Sequence, residues 1–376
     1  MSQQDVCARK VTGVNRLVAL ANTIVCVATV NAAMTMFMMK NGQPTINDVA
    51  RLAGVSKKTV SRVINRSELL NGETRKRVED VIAELGYVPN PQARALALRR
   101  NFLIGLVHDN PNAQMVLNVV EGILEGVKGT EFELVVRPVD RNSPTMLEDV
   151  RSFLERQRLY GVVLLPPISE NDALAKLCAD IGCRYVRMGS ARLDDDAHMV
   201  ISNDREAVRG AMAYLIEKGH RRIGLVQGPT GFRSAQERRL GFEDALTAAG
   251  LSLPRSLVTE GNYTFESGLS AGERLLDLMP RPTAIFACND EMAAGVLHVA
   301  RQRDMNVPDD LSIVGFDDTP IASHIWPPLT TVRWPIVSMA RAAALKLIAG
   351  SSDAAVEPSV FLSTLVKRSS IAPPSA

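Results

Sequence analysis

The 376-residue chain is poor in cysteine and histidine, with five of each. Its five cysteines (Cys7, Cys26, Cys178, Cys183 and Cys288) are odd in number, and neither they nor the five histidines fall at metal-ligand spacing. That excludes a small scaffold stapled by disulfides and reads the cysteines as reduced thiols, with Cys178 and Cys183 as core residues rather than a pair. No glycine-rich loop of the phosphate-cradling kind occurs. The string Gly268-Leu269-Ser270-Ala271-Gly272 has the spacing of a hydrolase nucleophile elbow, which demands a strand directly before the serine and a helix directly after. Here residues 263–267 read as a loop entering a helix already under way through Leu275 and Leu276. His298 and His324 downstream give Ser270 no partner. No catalysis, no cofactor and no metal are expected.

An excess of one charge sign is also missing from the whole chain, since 43 Lys/Arg against 41 Asp/Glu leave a net +2. The distribution is uneven, however. Between Lys40 and Arg100 there are twelve basic and six acidic residues, while residues 1–39 hold three and one, so the chain from 101 onward is acidic by six. A compact basic module on an acidic body fits a protein that meets phosphate with one end only. The length points to two or three domains, and a hydrophobic content of 46% is ample for buried cores.

The basic module opens with two short helical patterns around a tight turn, from Thr45 to Asn65. Thr45 caps the first, with Asp48 in the capping-box position, and Val49, Ala50, Leu52 and Ala53 supply its apolar side. Gly54 lets the chain reverse, and Ser56 is a second N-cap. In the second helix Val60, Val63 and Ile64 share one face, leaving Lys57, Lys58, Thr59, Ser61 and Arg62 on the other. Two readings fit: a hairpin with a solvated basic face, or a helix-turn-helix whose second helix enters the major groove of DNA. A third helix from about Glu73 to Leu85, with Val78, Val81, Ile82 and Leu85 on one face, stops at Gly86. After Asn90-Pro91, a fourth from Gln92 to Arg100 carries Arg94, Arg99 and Arg100 beside Ala93, Leu96 and Ala97.

Asp48-Val49-Ala50, Ala53-Gly54-Val55-Ser56, Thr59-Val60-Ser61-Arg62-Val63 and Leu85-Gly86-Tyr87, in that order, resemble the headpiece and hinge of the LacI/GalR (lactose-repressor) family of bacterial transcription regulators. The resemblance implies that Lys57, Lys58 and Arg62 contact bases, with Thr45, Ser56, Thr59, Ser61, Asn65 and Arg94 in the same interface. It also implies that Leu96 is wedged into the minor groove. Plain hinge packing is the other reading of Leu96.

Residues 1–39 fit this picture poorly. Arg9, Lys10 and Arg16 precede a run from Leu17 to Met39 without a charged side chain, long enough to span a bilayer and similar to a secretory signal. Yet Asn15, Asn22, Thr23, Thr29, Asn31 and Thr35 dilute it, and Met34, Met36, Met38 and Met39 lie just before the headpiece. The expectation is a disordered or mis-assigned extension, with a membrane anchor as the competing reading.

Beyond Arg100, short apolar runs at 103–107, 132–136, 162–165, 223–226, 284–287 and 313–315 read as buried parallel strands. Helical stretches such as Glu206 to Lys218 and Arg239 to Ala249 lie between them. Such alternation means open α/β sheets, whose ligands bind beyond the carboxyl ends of strands. The family resemblance continues through Gly219-His220-Arg221-Arg222-Ile223-Gly224, Ala287-Cys288-Asn289-Asp290, Gly315-Phe316-Asp317-Asp318 and Pro328-Leu329-Thr330-Thr331-Val332-Arg333. It implies an effector domain with the fold of periplasmic sugar-binding proteins. In it Arg238, Asn289 and Asp317 hydrogen-bond an effector, usually a sugar, Tyr263 packs on the sugar face, and Asp109, Asn110, Ser234 and Trp334 line the site. Each polar group has a structural alternative: Arg238 and Asp317 as an ion pair, Asn289 as the cap of a helix starting near Asp290. Two departures from the family, Trp334 for a common glutamine and Met188 for a common aspartate, imply a more apolar cleft. Asp194-Asp195-Asp196 reads as a solvated loop.

The expected fold is thus an all-α helix-turn-helix headpiece with a hinge helix, joined to a two-lobed α/β periplasmic-binding-protein-like effector domain. The expected segments are an extension over 1–39, the DNA-binding domain over 40–88, a hinge over 89–100 and the effector and dimerisation domain over 101–376. Its lobes are about 101–202 plus 333–360 and about 203–332. The expected function is a cytoplasmic, ligand-responsive transcription regulator, a repressor, binding double-stranded operator DNA as a homodimer, with a tetramer left open and no membrane partner. The effector is expected to be a sugar or glycoside. The competing readings are an exported sugar-binding transport protein and a hydrolase.

Overall fold

In the basic module local signals set each element. The computed structural model describes residues 44–64, 70–88, 101–349 and 359–375, and the chain divides into two units, 1–99 and 100–376. The extension over 1–39, the hinge expected over 89–100, and Asn65, Arg94 and Leu96 lie outside the described residues. In the first unit α1 (Ile46–Leu52) begins where the Asp48 carboxylate accepts the N–H of Thr45 at 3.0 Å and its hydroxyl at 2.7 Å. Gly54, at φ +64°, closes the turn with Val55 N–H donating to Ala50 O at 3.0 Å. Ser56 Oγ then accepts Thr59 N–H at 3.1 Å to start α2 (Lys57–Ile64), and Asn71 Oδ1 accepts Glu73 N–H at 3.1 Å to start α3 (Gly72–Leu85). Val49, Ala50, Ala53, Val60, Val63, Val78 and Leu85 form the core of the unit. Burial of each valine or leucine there contributes about 1.5–3 kcal/mol. Leu52, expected on the apolar side, is 49% exposed. At 100° per residue it sits off the edge of the stripe that Val49, Ala50 and Ala53 make.

The second unit runs β1 (Leu103–His108), α4 (Ala113–Val127), β2 (Glu133–Pro138), α5 (Met146–Gln157), β3 (Gly161–Leu164), a 3₁₀ turn (Ile168–Glu170), α6 (Asp172–Asp180), β4 (Arg184–Gly189) and β5 (Met199–Ser202). The chain then crosses into a second lobe through α7 (Asp204–Glu217), β6 (Ile223–Gln227), α8 (Arg233–Ala248), β7 (Val258–Glu260), α9 (Phe265–Leu276), β8 (Ala284–Ala287), α10 (Asp290–Gln302), β9 (Ser312–Asp317), α11 (Pro320–His324) and β10 (Thr330–Arg333). It returns with α12 (Ile336–Ala349) and β11 (Val360–Phe361), and crosses a third time into β12 (Thr364–Val366). The sheets are ordered β11-β5-β4-β3-β1-β2 and β12-β10-β9-β8-β6-β7. All pairings are parallel except β10–β12, which is antiparallel. Each sheet reverses its winding beside its first strand, between β1 and β3 and between β6 and β8, so a crevice forms at those carboxyl ends.

The third crossing departs from the expected lobes, because β12 completes the second sheet whereas the expected second lobe stopped near 332. The crossings are tied to one another. Trp334 Nε1 donates to Ser202 Oγ at 2.8 Å, and Ser363 N–H donates to Asn203 Oδ1 at 2.7 Å. Close backbone approach fixes α4 on α12: a Cβ on Gly122 would lie 2.3 Å from Val337 O. Cys178 is buried in the first lobe, and Cys178, Cys183 and Cys288 are free thiols. Ser270 sits inside α9 with its hydroxyl donating to Glu266 O at 3.4 Å, not on a strand-to-helix elbow. Asp194, Asp195 and Asp196 lie in a loop in which Asp195 and Asp196 are exposed, as expected, and they pair with Tyr185, His198 and Arg192. Among the described residues no helix is long and apolar enough to cross a membrane.

Candidate functional site

Two sets of residues carry chemistry, one in each unit. On the first unit, packing of Val60 and Val63 against α1 and α3 turns the opposite face of α2 outward. Thr45, Ser56, Lys57, Lys58 and Arg62 are exposed and Thr59 and Ser61 half-buried. The Ser56 and Thr59 hydroxyls are 2.9 Å apart in the cap of α2. Cations on the outward face of a helix suit phosphate and base edges.

In the second unit the strand ends enclose a cavity of about 130 Å³, lined by residues that include Asn110, Ser234, Arg238, Tyr263, Asn289, Asp317 and Trp334. Arg238 on α8 is 4% exposed and is its electrostatic centre. Its Nε donates to Asp204 Oδ2 at 2.9 Å, its Nη1 donates to Cys288 O at 2.5 Å and lies 3.7 Å from Asp317 Oδ1. Its guanidinium stacks 3.6 Å from the Phe316 ring centroid and faces Trp334 at 5.9 Å. Asp317 ends β9 at φ +110°, a conformation a non-glycine residue holds only when its surroundings dictate it. Burial pushes its carboxyl well above the usual range, against the opposing effect of Arg238. The expected Arg238–Asp317 ion pair is present, but Asp204, fully buried at the start of α7, is the nearer partner.

Asn289 performs the capping role. Its Oδ1 accepts Met292 N–H at 2.9 Å, and its Nδ2 donates to Tyr263 O at 2.9 Å, which anchors Tyr263 at φ +68°. The Tyr263 ring fits because Gly228 has no side chain: a Cβ there would lie 2.3 Å from the phenol. The ring is nearly parallel to Phe232 at 6.3 Å, and burial raises its phenol. Trp334 presents a ring face, since its N–H is held by Ser202.

Two expected residues lie elsewhere. Asp109 does not line the cavity: its Oδ1 accepts Ile168 N–H at 3.1 Å and its Oδ2 lies 2.6 Å from Arg141 Nε. Met188 is buried in the core and does not line the cavity, so a methionine in place of the family's aspartate does not make the cavity wall apolar. The sequence reading missed Asn112, Arg141, Phe232 and Asp204. Asn112 caps α4 through Oδ1 and leaves Nδ2 buried and unpartnered at the cavity, and its position before a helical run was a legible signal. Arg141 and Asp204 are held by partners far along the chain, Asp109 and Arg238, for which no local signal exists.

Residues 45–90 match the family described as bacterial regulatory proteins, lacI family, and residues 212–371 match the periplasmic binding protein-like domain. The chain is 36% identical over 333 residues to the HTH-type transcriptional regulator CelR of Thermobifida fusca, covering 85% of this chain and 96% of that one. It is 33% identical over 296 residues to the ribose operon repressor of Escherichia coli K12, covering 77% and 88%. Two solved structures share the fold. A CelR–cellobiose complex superposes with a TM-score of 0.65 at 33% identity, over 87% of this chain and 100% of that one. A lac repressor dimer bound to operator and the anti-inducer ONPF superposes with a TM-score of 0.74 at 29% identity, over 88% and 99%. With an exposed basic recognition helix in one unit and a polar strand-end cleft in the other, the chain belongs to the LacI family of bacterial transcription regulators.

Proposed function

We propose that the protein is a repressor that binds a near-palindromic operator as a homodimer in the cytoplasm, and that a sugar or glycoside in the second unit's cleft controls that binding. The observation that carries this reading is the pairing, in one chain, of an exposed Lys57/Lys58/Arg62 face with a buried Arg238/Asn289/Asp317 cluster at strand ends. A polyol hydroxyl both donates and accepts, so a guanidinium, an amide and a carboxyl orient it, while the Tyr263 and Trp334 faces cover its C–H surface. Cellobiose in the CelR complex and operator DNA in the lac repressor complex give the ligand classes. One recognition helix reads too few bases for specificity, and two-fold symmetry doubles the site. In this reading Thr45, Ser56, Thr59, Ser61, Asn65 and Arg94 contribute further DNA contacts and Leu96 is the minor-groove wedge. Ser270 has no catalytic role.

The test is fluorescence-anisotropy binding to DNA from upstream of the gene, with scrambled DNA and a salt series as controls, repeated with cellobiose and a panel of glycosides. Selective binding that weakens with salt and shifts with one sugar supports the reading. Equal binding to both DNAs, unchanged by any sugar, counts against it.

A further inference from the structure

α8 carries two of the cleft's polar groups, Ser234 and Arg238, yet its N-terminus lacks what a sequence ordinarily supplies there. The residue in the N-cap position is Phe232, which has no side-chain acceptor, its first turn holds no acidic residue, and its first residue is the cation Arg233. The first N–H groups of a helix have no partner inside it, and the peptide dipoles leave that end partially positive. Both deficits are met from the other lobe. Glu170, the last residue of the 3₁₀ turn after β3, accepts Arg233 N–H on Oε2 at 2.7 Å and Ser234 N–H on Oε1 at 3.1 Å. Helices α4, α6, α9 and α10 take their acceptor from the residue just before them: Asn112, Asn171, Thr264 and Asn289. Beside the Glu170 contact lies a second one across the cleft, the Arg141 guanidinium over the Phe232 ring at 4.3 Å.

We propose that Glu170 is a positioning residue that latches the two lobes and makes the order of the first turn of α8, and so the placement of Ser234, conditional on their closure. The inference rests on the reading of the cleft as the effector site. A cap supplied by its own lobe would hold α8 whether the lobes were together or apart. A cap supplied across the cleft exists only when they are together. Two N–H donors on one carboxylate are charge-assisted and strong, and on opening both sides exchange them for water, so the latch favours closure without locking it. Because α8 also carries Arg238, whose partners Asp204 and Asp317 sit at the ends of other elements, opening at Glu170 loosens one end of the helix on which the cleft's central cation is mounted.

The chain holds two tryptophans, and Trp326 is 74% exposed while Trp334 is buried at the cleft. In a Trp326→Phe background Trp334 therefore reports closure alone, through acrylamide quenching of the ligand-free protein. Glu170→Ala should raise the quenching constant several-fold, and Glu170→Gln, which keeps one carbonyl acceptor, should fall between. Circular dichroism melting verifies that each variant is folded, and if Glu170→Ala is not, Glu170→Gln carries the test. An unchanged quenching constant in a folded variant overturns the latch. Titration with cellobiose is a separate arm. A wild-type Trp334 signal indifferent to the sugar counts against the effector reading, whereas the ligand-free comparison of Glu170 variants judges the latch alone.

Discussion

The two units set their functional side chains in opposite surroundings. In the first, Lys57, Lys58 and Arg62 are exposed on a helix whose other face is packed, while in the second, Arg238, Asn289 and Asp317 are nearly or fully removed from water. The glycines differ in the same way. A Cβ on Gly54 would meet nothing within 4 Å, so that glycine is there for its φ of +64°, whereas a Cβ on Gly268 would lie 2.3 Å from Met292 O, so that glycine is there for the close approach of α9 to α10. The lesson is that the first unit is shaped by local backbone conformation and reads a partner that brings its own charge. The second is shaped by distant elements pressed together and must build a dry, prearranged polar site for a small ligand.

The largest effect that tests this contrast is expected at Arg238. Arg238→Ala leaves Asp204 and Asp317 as buried carboxylates without their cation and should cost about 3–5 kcal/mol in urea unfolding of the second unit. The sugar response should vanish while operator binding by the first unit persists. A loss under about 1 kcal/mol would falsify the claim that the cleft depends on this ion cluster. Next, Gly268→Ala should cost about 1–3 kcal/mol through overpacking, and Gly54→Ala about 1–2 kcal/mol through its left-handed backbone. Asparagine separates the two causes. Gly54→Asn should recover part of the loss, because asparagine tolerates that conformation, and Gly268→Asn should be worse than alanine. Identical rankings at both positions in thermal melts would erase the distinction.

Arg62→Ala is expected to weaken operator binding by about 1–3 kcal/mol in anisotropy titrations and to leave the melting of the first unit within about 0.5 kcal/mol of wild type. Destabilisation instead of lost affinity would mean that the exposed face has a structural duty. The smallest effect is in pH dependence. Burial, opposed by hydrogen bonds from Thr331 and Thr319, pushes Asp290 up from 3.8 to about 7. The folded state therefore binds the proton more tightly than the unfolded one. Its contribution to stability is complete below pH 3.8 and is lost as pH rises towards and past about 7. The wild-type second unit should thus lose stability between these values more steeply than Asp290→Asn in denaturant titrations. Parallel profiles would show that Asp290 does not hold the Asp317–Thr319 turn in protonated form.

Legibility in the sequence followed the same division. The caps at Asp48, Ser56 and Asn71 and the stops at Gly54 and Gly86 act within one helical turn, so α1 to α3 could be read from neighbouring residues, with Leu52 misjudged because a helical stripe has an edge. In the second unit six apolar strands were readable, while the short β5, β7, β10 and β11 were not read and neither was β4. Its Arg187 is buried against Asp172 and Asp194, so a charged residue interrupts what would otherwise read as an apolar run. β12 was missed because it is three residues long and pairs antiparallel with a strand more than thirty positions earlier.

The sequence by itself determined the helix-turn-helix, its basic face, the alternating α/β body and seven of the sixteen residues that line the cleft, because each is written in short-range periodicity, caps or motif strings. Only the tertiary structure decided that Asp204 rather than Asp317 is the nearer partner of Arg238, that Asp109 serves Arg141, and that Glu170 caps a helix belonging to the other lobe. A buried charge is stabilised by whichever opposite dipole or charge folding brings within a few ångströms, and along the chain those partners are separated by tens of residues.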